Sequence, residues 1–361
     1  MPEFYPQRTS PKESSRTRAV AIWLLIGVGM LIIQILLGGV TRLTGSGLSI
    51  TEWNVITGTL PPLNEQKWVE EFNKYKQTQQ FLLLNSGFTL HDFKSIFFWE
   101  WFHRFWARLI GVVFAIPFII FLFQKRFKEE MIKPLIILFL LGALQGAVGW
   151  IMVASGLTGD AIYVKPTKLM LHFILALGLL CYTFWFALQL LVPEEKRIIN
   201  RSLKNFTWII ITVLILQLAF GALMAGHKAA TAASTWPDIN GTFIPSKMFS
   251  SPGGLLNLIE NKITIQFVHR SLAYMLFILV LIWTWKAVKL LNGSKLFLRT
   301  KWLPLLLVTT QVILGILSVL ASVQIVPNHW GIFEWLAEVH QLTAMFFLLS
   351  LIWMAYLIKS K

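Results

Sequence analysis

The sequence predicts an all-α, polytopic membrane protein whose eight transmembrane helices form two tandem, pseudo-symmetric four-helix bundles. Three observations carry this prediction. Only 14% of the 361 residues are charged, against 56% hydrophobic, well short of the quarter or so that a water-facing surface needs. Eight apolar runs have about the length, roughly 20 residues, that crosses a bilayer as a helix. The last four runs also carry the same marks as the first four at nearly constant spacing.

The spans fall at 19–40, 97–123, 133–154, 167–191, 206–226, 264–285, 302–322 and 337–358. The first follows a polar tail, 1–18, and is too long for a signal-peptide core. It has no small-residue cleavage site, so it counts as a helix. Residues 19–191 are then the N-terminal bundle, 192–205 a cytoplasmic linker and 206–358 the C-terminal bundle. Two connections on the far side are long. Residues 41–96 contain Thr44-Gly-Ser-Gly-Leu-Ser49, Thr57-Gly-Thr-Leu-Pro-Pro62 and an amphipathic stretch near Trp68–Tyr75. Residues 227–263 contain Thr235-Trp-Pro-Asp-Ile-Asn-Gly241 and a second Gly/Pro cluster at 252–254. Loops of this length in a compact protein are usually functional, and a lid is the natural role.

The net charge of +15 raises the question of a nucleic-acid partner, and its placement answers it. Nineteen of the 32 basic residues lie in the two tails and in the loops after spans two, four and six, against six acids. The other side balances ten basic with ten acidic residues. That is the positive-inside pattern with both termini cytoplasmic, so the charge needs a lipid bilayer and no nucleic acid. The tail holds Glu3 and Glu13 and lacks the acid-free character of a transit peptide. This points to a bacterial inner (plasma) membrane, with the mitochondrial inner membrane as the alternative. Cys181 is the only cysteine, which excludes an internal disulfide, a cysteine-based zinc site and c-type heme attachment; it reads as a small buried apolar side chain.

The repeat is explicit. Gln-x-x-x-Gly closes every odd-numbered span, as Gln34/Gly38, Gln145/Gly149, Gln217/Gly221 and Gln311/Gly315. Each even-numbered span carries one histidine near its start: His103, His172, His269 and His340. The offset is 166 residues from His103 to His269 and from Gln145 to Gln311, and 168 from His172 to His340. The first motif is offset by 183 because the first outer loop is the longer. The glycines read as helix-packing positions.

Even-numbered helices run inward from the outer side, so all four histidines sit at one depth, two in each bundle. An ionisable residue in a membrane segment points to function, and neutral imidazoles on facing helices suit bis-histidine heme iron. Arg104 and Arg270 follow His103 and His269 and have the fork geometry for a propionate carboxylate. Glu100 lies one turn before His103 on the same helical face, a spacing shared with di-iron bundles. That reading fails on ligand count, because Leu169, Gln266 and Ala337 hold the corresponding positions. The pairing of Glu100 with Gln266 leaves one half with an acid beside its heme and the other with an amide. Chemistry is therefore expected in one half and electron storage or relay in the other. His91, His227 and His329 carry no repeat signal.

These residues resemble the heme A synthase family over nearly the whole chain. The most specific stretches are Gly39-Val-Thr-Arg-Leu-Thr-Gly-Ser-Gly-Leu-Ser49, Thr51-Glu-Trp-Asn-Val-Ile-Thr-Gly58 and Glu100-Trp-Phe-His-Arg104. Gln145-Gly-Ala-Val-Gly-Trp150, Thr235–Gly241 and Val339-His-Gln341 add to them. The resemblance implies oxidation of a ring methyl of heme O to the formyl group of heme A by successive hydroxylations, for assembly of aa3-type cytochrome oxidases. It implies that His103 and His172 bracket the substrate heme and that His269 and His340 ligate a resident heme b. Glu100 would match the family's essential glutamate. Heme O synthase as a transient partner, an electron donor and a homo-oligomer are further expectations. The chain lacks the cysteine pair that some members carry in the first outer loop, and so resembles the cysteine-free branch.

Two rivals compete. A non-catalytic bis-histidine b-type membrane cytochrome uses four histidines equally well. It gives no reason for Glu100 or for unequal loops, and transmembrane transfer favours hemes at both faces. A heme transporter calls for charged residues deep in the bundle or broken mid-membrane helices, and the sequence has neither.

Overall fold

The computed structural model describes residues 11–53, 57–248, 254–290 and 293–360. The first ten residues of the tail, Asn54–Ile56 of the 51–58 stretch, positions 252–253 of the second Gly/Pro cluster and Lys361 lie outside the described residues. Among those described, eight helices are long and apolar enough to cross a membrane. They are α1 (Pro11–Leu43), α2 (Leu90–Phe123), α3 (Glu129–Ala154) and α4 (Pro166–Leu191). After the linker come α5 (Arg201–Gly226), α6 (Lys262–Val288), α7 (Leu303–Ala321) and α8 (Ile332–Leu357).

Several helices start earlier than their apolar runs, among them α1 at Pro11, α2 at Leu90, α5 at Arg201 and α8 at Ile332. α2 begins at Leu90 instead of 97 because Thr89 and Asp92 form a capping box, which satisfies the first orphan N–H groups. Its first two turns bury Phe93 and Phe97 under the outer loop rather than in lipid. α8 begins at Ile332 instead of 337, its entry held by the Glu334 carboxylate accepting from the Gly331 N–H at 2.8 Å. The first outer loop is itself partly helical. Asn64 caps the helix Glu65–Tyr75 and Thr78 caps Gln79–Leu84; the buried Phe72 and Tyr75 stack on Phe93, and Phe81 packs edge-on against both.

The packing is doubled. α1 lies against α2 and α4 and α3 against α4; α5 lies against α6 and α8 and α7 against α8. α4 joins α5, while α1 and α4 both touch α8, so the main apolar core, with Trp283 and Phe347 fully buried, draws on both halves. One correspondence is broken. α6 packs on α7, but α2 and α3 stand apart.

The linker is tied to the chain's end. Ile198 and Ile199 pair in parallel with Ile358 and Lys359. Arg197 donates to the Tyr356 carbonyl at 2.9 Å and lies over its ring at 4.8 Å, and Tyr356 donates its hydroxyl to the Val192 carbonyl at 3.0 Å.

Candidate functional site

All four repeated histidines line one large apolar cavity of about 1860 Å³. His103 and His172 stand on α2 and α4 of the first four-helix unit and His269 and His340 on α6 and α8 of the second, so the imidazoles are grouped as the duplication groups them. His91 is exposed, and the His227 ring bonds the Ile259 carbonyl at 2.7 Å. His329 is exposed at the cavity's rim.

Each histidine is seated by the Gln-x-x-x-Gly of the preceding helix. A Cβ on Gly38 would meet the His103 ring at 3.4 Å, one on Gly149 the His172 ring at 2.7 Å, one on Gly221 the His269 ring at 3.2 Å and one on Gly315 the His340 ring at 3.0 Å. The glycine therefore makes room for an imidazole, beyond the helix contact that the sequence suggests. One turn earlier, the Gln145, Gln217 and Gln311 amides lie 3.4, 3.3 and 3.1 Å from Nε2 of His172, His269 and His340. Gln34 instead donates to the His103 carbonyl at 3.3 Å. The second ring nitrogen, Nδ1, of His172, His269 and His340 is buried with no partner, and so is the amide oxygen of all four glutamines. A half-turn of the amide puts its oxygen on the imidazole N–H. The other ring nitrogen then keeps its lone pair for a metal, the usual outer-shell arrangement of a ligating histidine. A buried orphan nitrogen beside a glycine cradle fits heme iron. Recurrence in all four helices was the signal for this role of the glutamines.

Above the histidines, each half is roofed by an outer loop held by an i,i+4 pair. In the N-terminal half, Glu100 is 2% exposed and lines the cavity. One carboxylate oxygen accepts from Arg104 at 2.5 Å; the other accepts from the Ser49 hydroxyl at 2.7 Å and the Ile50 N–H at 2.9 Å. Arg104 donates onward to the Glu52 and Ile50 carbonyls at 3.2 and 3.3 Å and lies 4.8 Å from the Trp53 ring. In the C-terminal half, Gln266 occupies the matching place with opposite polarity. Its amide nitrogen donates to the Ala229 and Ala233 carbonyls at 2.6 and 3.2 Å. Arg270 donates to Gln266 at 2.6 Å and to the Ala233, Thr235 and Asp238 carbonyls at 2.9 Å each, leaving its buried Nε without a partner. The first loop presents donors and the second presents acceptors, which is why an acid stands in one half and an amide in the other. The sequence showed the difference and not this cause.

The first roof is stiffened by a polar knot. Tyr75 donates to Gln80 at 3.0 Å, Asn85 donates to the Tyr75 oxygen at 2.7 Å, and Gln80 donates to the Gly45 carbonyl at 3.3 Å. Burial pushes the Tyr75 phenol up to about 12. In the second roof the Thr235 hydroxyl and the Gly241 N–H, both donating to Asp238, hold its carboxyl below the usual range.

Comparison with known proteins shows what the chain is similar to. The sequence model of the family described as cytochrome oxidase assembly protein (COX15-CtaA) matches residues 21–353. A heme A synthase of Bradyrhizobium sp. (strain ORS 278) is 40% identical over 333 residues, 91% of this chain and 88% of its own. That of Rhodospirillum centenum is 40% identical over 360 residues, 99% and 92% of the two chains. That of Flavobacterium psychrophilum is 41% identical over 338 residues, 92% and 95%.

Proposed function

Because the chain belongs to the COX15-CtaA family of cytochrome oxidase assembly proteins, we propose that it is a multi-pass inner-membrane oxidoreductase that converts heme O to heme A. Two successive hydroxylations convert the ring methyl of heme O to a geminal diol, which loses water to give the formyl group. Each inserts one oxygen atom of dioxygen while two electrons and two protons reduce the other atom to water. The single observation that carries this reading is two seated imidazole pairs on one cavity, with Glu100 one turn before His103 where Gln266 holds the matching place before His269.

In this reading His103 and His172 hold the substrate heme, and His269 and His340 hold a resident heme b. Bound there, heme b supplies single electrons that an external donor replenishes. Gln145, Gln217 and Gln311 orient their imidazoles. The Glu100–Arg104 pair locks residues 49–52 over the substrate and excludes water, and the Glu100 carboxylate moves protons beside the reacting methyl. Arg270 offers its spare Nε–H to a propionate, with Arg104 in the matching place. Both termini lie on the cytoplasmic side, so the histidines face the outer leaflet. Residues 19–191 are the catalytic unit and 206–358 the electron-holding unit, with heme O synthase delivering substrate transiently.

Co-expression with a heme O synthase, followed by chromatography of extracted hemes, tests the reading. Heme A is expected with the unaltered chain and absent with Glu100→Ala, heme b being kept in both. No heme A from the unaltered chain would leave the electron-carrier reading in its place.

A further inference from the structure

The two halves differ most below the histidines. In the C-terminal half the cavity reaches from His269 to Leu276 and from His340 to Phe347, about 10 Å along each helix at 1.5 Å per residue. In the N-terminal half it continues from His103 to Leu122 and from His172 to Thr183, about 28 Å and 16 Å on the same rise. The extension is an apolar trough between α2 and α3, the pair that stands apart where α6 and α7 pack. Its floor is aromatic: Trp23, Phe114, Phe118 and Phe127 line it and stack on one another.

Two features of the sequence build the trough. Small residues line it where the repeat has large ones. Gly111 and Gly142, on whose missing Cβ nothing lies within 4 Å, correspond at the 166-residue offset to Phe277 and the buried Val308. Pro117 also sits inside the inner half of α2, where the repeat has the buried Trp283. Proline has no N–H for the carbonyl four residues back, and Trp23 supplies the missing donor to the Val113 carbonyl at 2.9 Å. The open wall is therefore satisfied in place.

We infer that this trough seats the isoprenoid tail of the substrate porphyrin. The inference rests on the reading above and deepens it. Heme O differs from heme b by a farnesyl-bearing side chain, and only the half with the trough has room for one. The C-terminal half, filled by Phe277 and Val308, takes a porphyrin without a tail. A tail lying toward the cytoplasmic end fixes the rotation of the ring in its plane, and so decides which methyl is presented to Glu100. The gap between α2 and α3 also lets a tailed porphyrin pass sideways from the bilayer.

The test grafts the repeat's own residues. Gly111→Phe with Gly142→Val, co-expressed with a heme O synthase, is expected to retain heme b at the wild-type level. Its combined heme O and heme A should fall at least tenfold, while added protoheme still binds the first histidine pair. A second measurement needs no variant: titration of the heme b-loaded wild type should show heme O binding the first pair at least tenfold tighter than protoheme. Undiminished heme O and heme A in the grafted protein, or equal affinities in the wild type, overturn the inference. So does a phospholipid that stays in the trough while heme O binds. If the wild type neither binds nor converts heme O, the functional reading fails instead.

Discussion

At the scale of single residues, the account turns on hydrogen bonds whose polarity is fixed. Glu100 accepts from a hydroxyl and a backbone N–H, so an amide nitrogen in its place would face a donor. Glu100→Gln is expected to release residues 44–53, seen as faster hydrogen exchange there, even though the side chain keeps its size. Ser49→Ala removes one donor from a buried carboxylate and is expected to cost roughly 1–3 kcal/mol of local stability. Exchange rates like the wild type's in both would contradict the clasp. The glutamines act on the imidazoles. Removing an outer-shell partner of a metal ligand typically lowers affinity about 10–100-fold, so Gln217→Ala should weaken heme b binding by that factor in a Soret titration. Tyr75 gives a pH signature. Burial raises its phenol from 10.0 to about 12, so the neutral form is the one the fold favours. The stability it contributes is complete below pH 10 and lost as pH rises through 12. Tyrosinate absorbance should lose one late-titrating tyrosine in Tyr75→Phe.

At the scale of elements, the glycines connect helix geometry to the site. A valine at Gly149 would bring its Cβ into His172, which sits 2.7 Å from that point, and the ring has to leave. Gly149→Val is therefore expected to strip heme from the N-terminal half while leaving heme b, whereas Gly315→Val should do the reverse. Heme content of the two purified proteins checks this. The spans were legible because lipid exposure forces apolar runs whatever the neighbours are. The early start of α2 was not, because residues 90–96 pack on a loop and read as ordinary soluble sequence. The helix Glu65–Tyr75 showed as an amphipathic stretch, but Gln79–Leu84 is too short for any periodicity. The separation of α2 from α3 was hidden as well. Hydropathy tells which residues avoid water and not which helices touch, although Pro117 and the exchange of Gly111 for Phe277 marked the place.

At the scale of the whole molecule, the chain is a duplicated frame with unequal contents. Repeat spacing disclosed the frame, the histidine positions and the Glu100/Gln266 asymmetry. The loop carbonyls that hold Arg104 and Arg270 lie 32 to 54 residues away in sequence, and no local pattern encodes them. The α1–α8 contact joins the halves near the site: Gln341, beside His340, donates to the Ile35 carbonyl at 3.1 Å, and Gly39 leaves room for Glu338. The two histidine pairs thus share one cavity wall, as the proposed passage of electrons between them requires.

The most direct test is the heme content of two paired variants co-expressed with heme O synthase. His103→Ala/His172→Ala should keep heme b and lose heme O and heme A. His269→Ala/His340→Ala should lose heme b and accumulate no heme A. Heme A in either variant, or full heme content in both, contradicts the account.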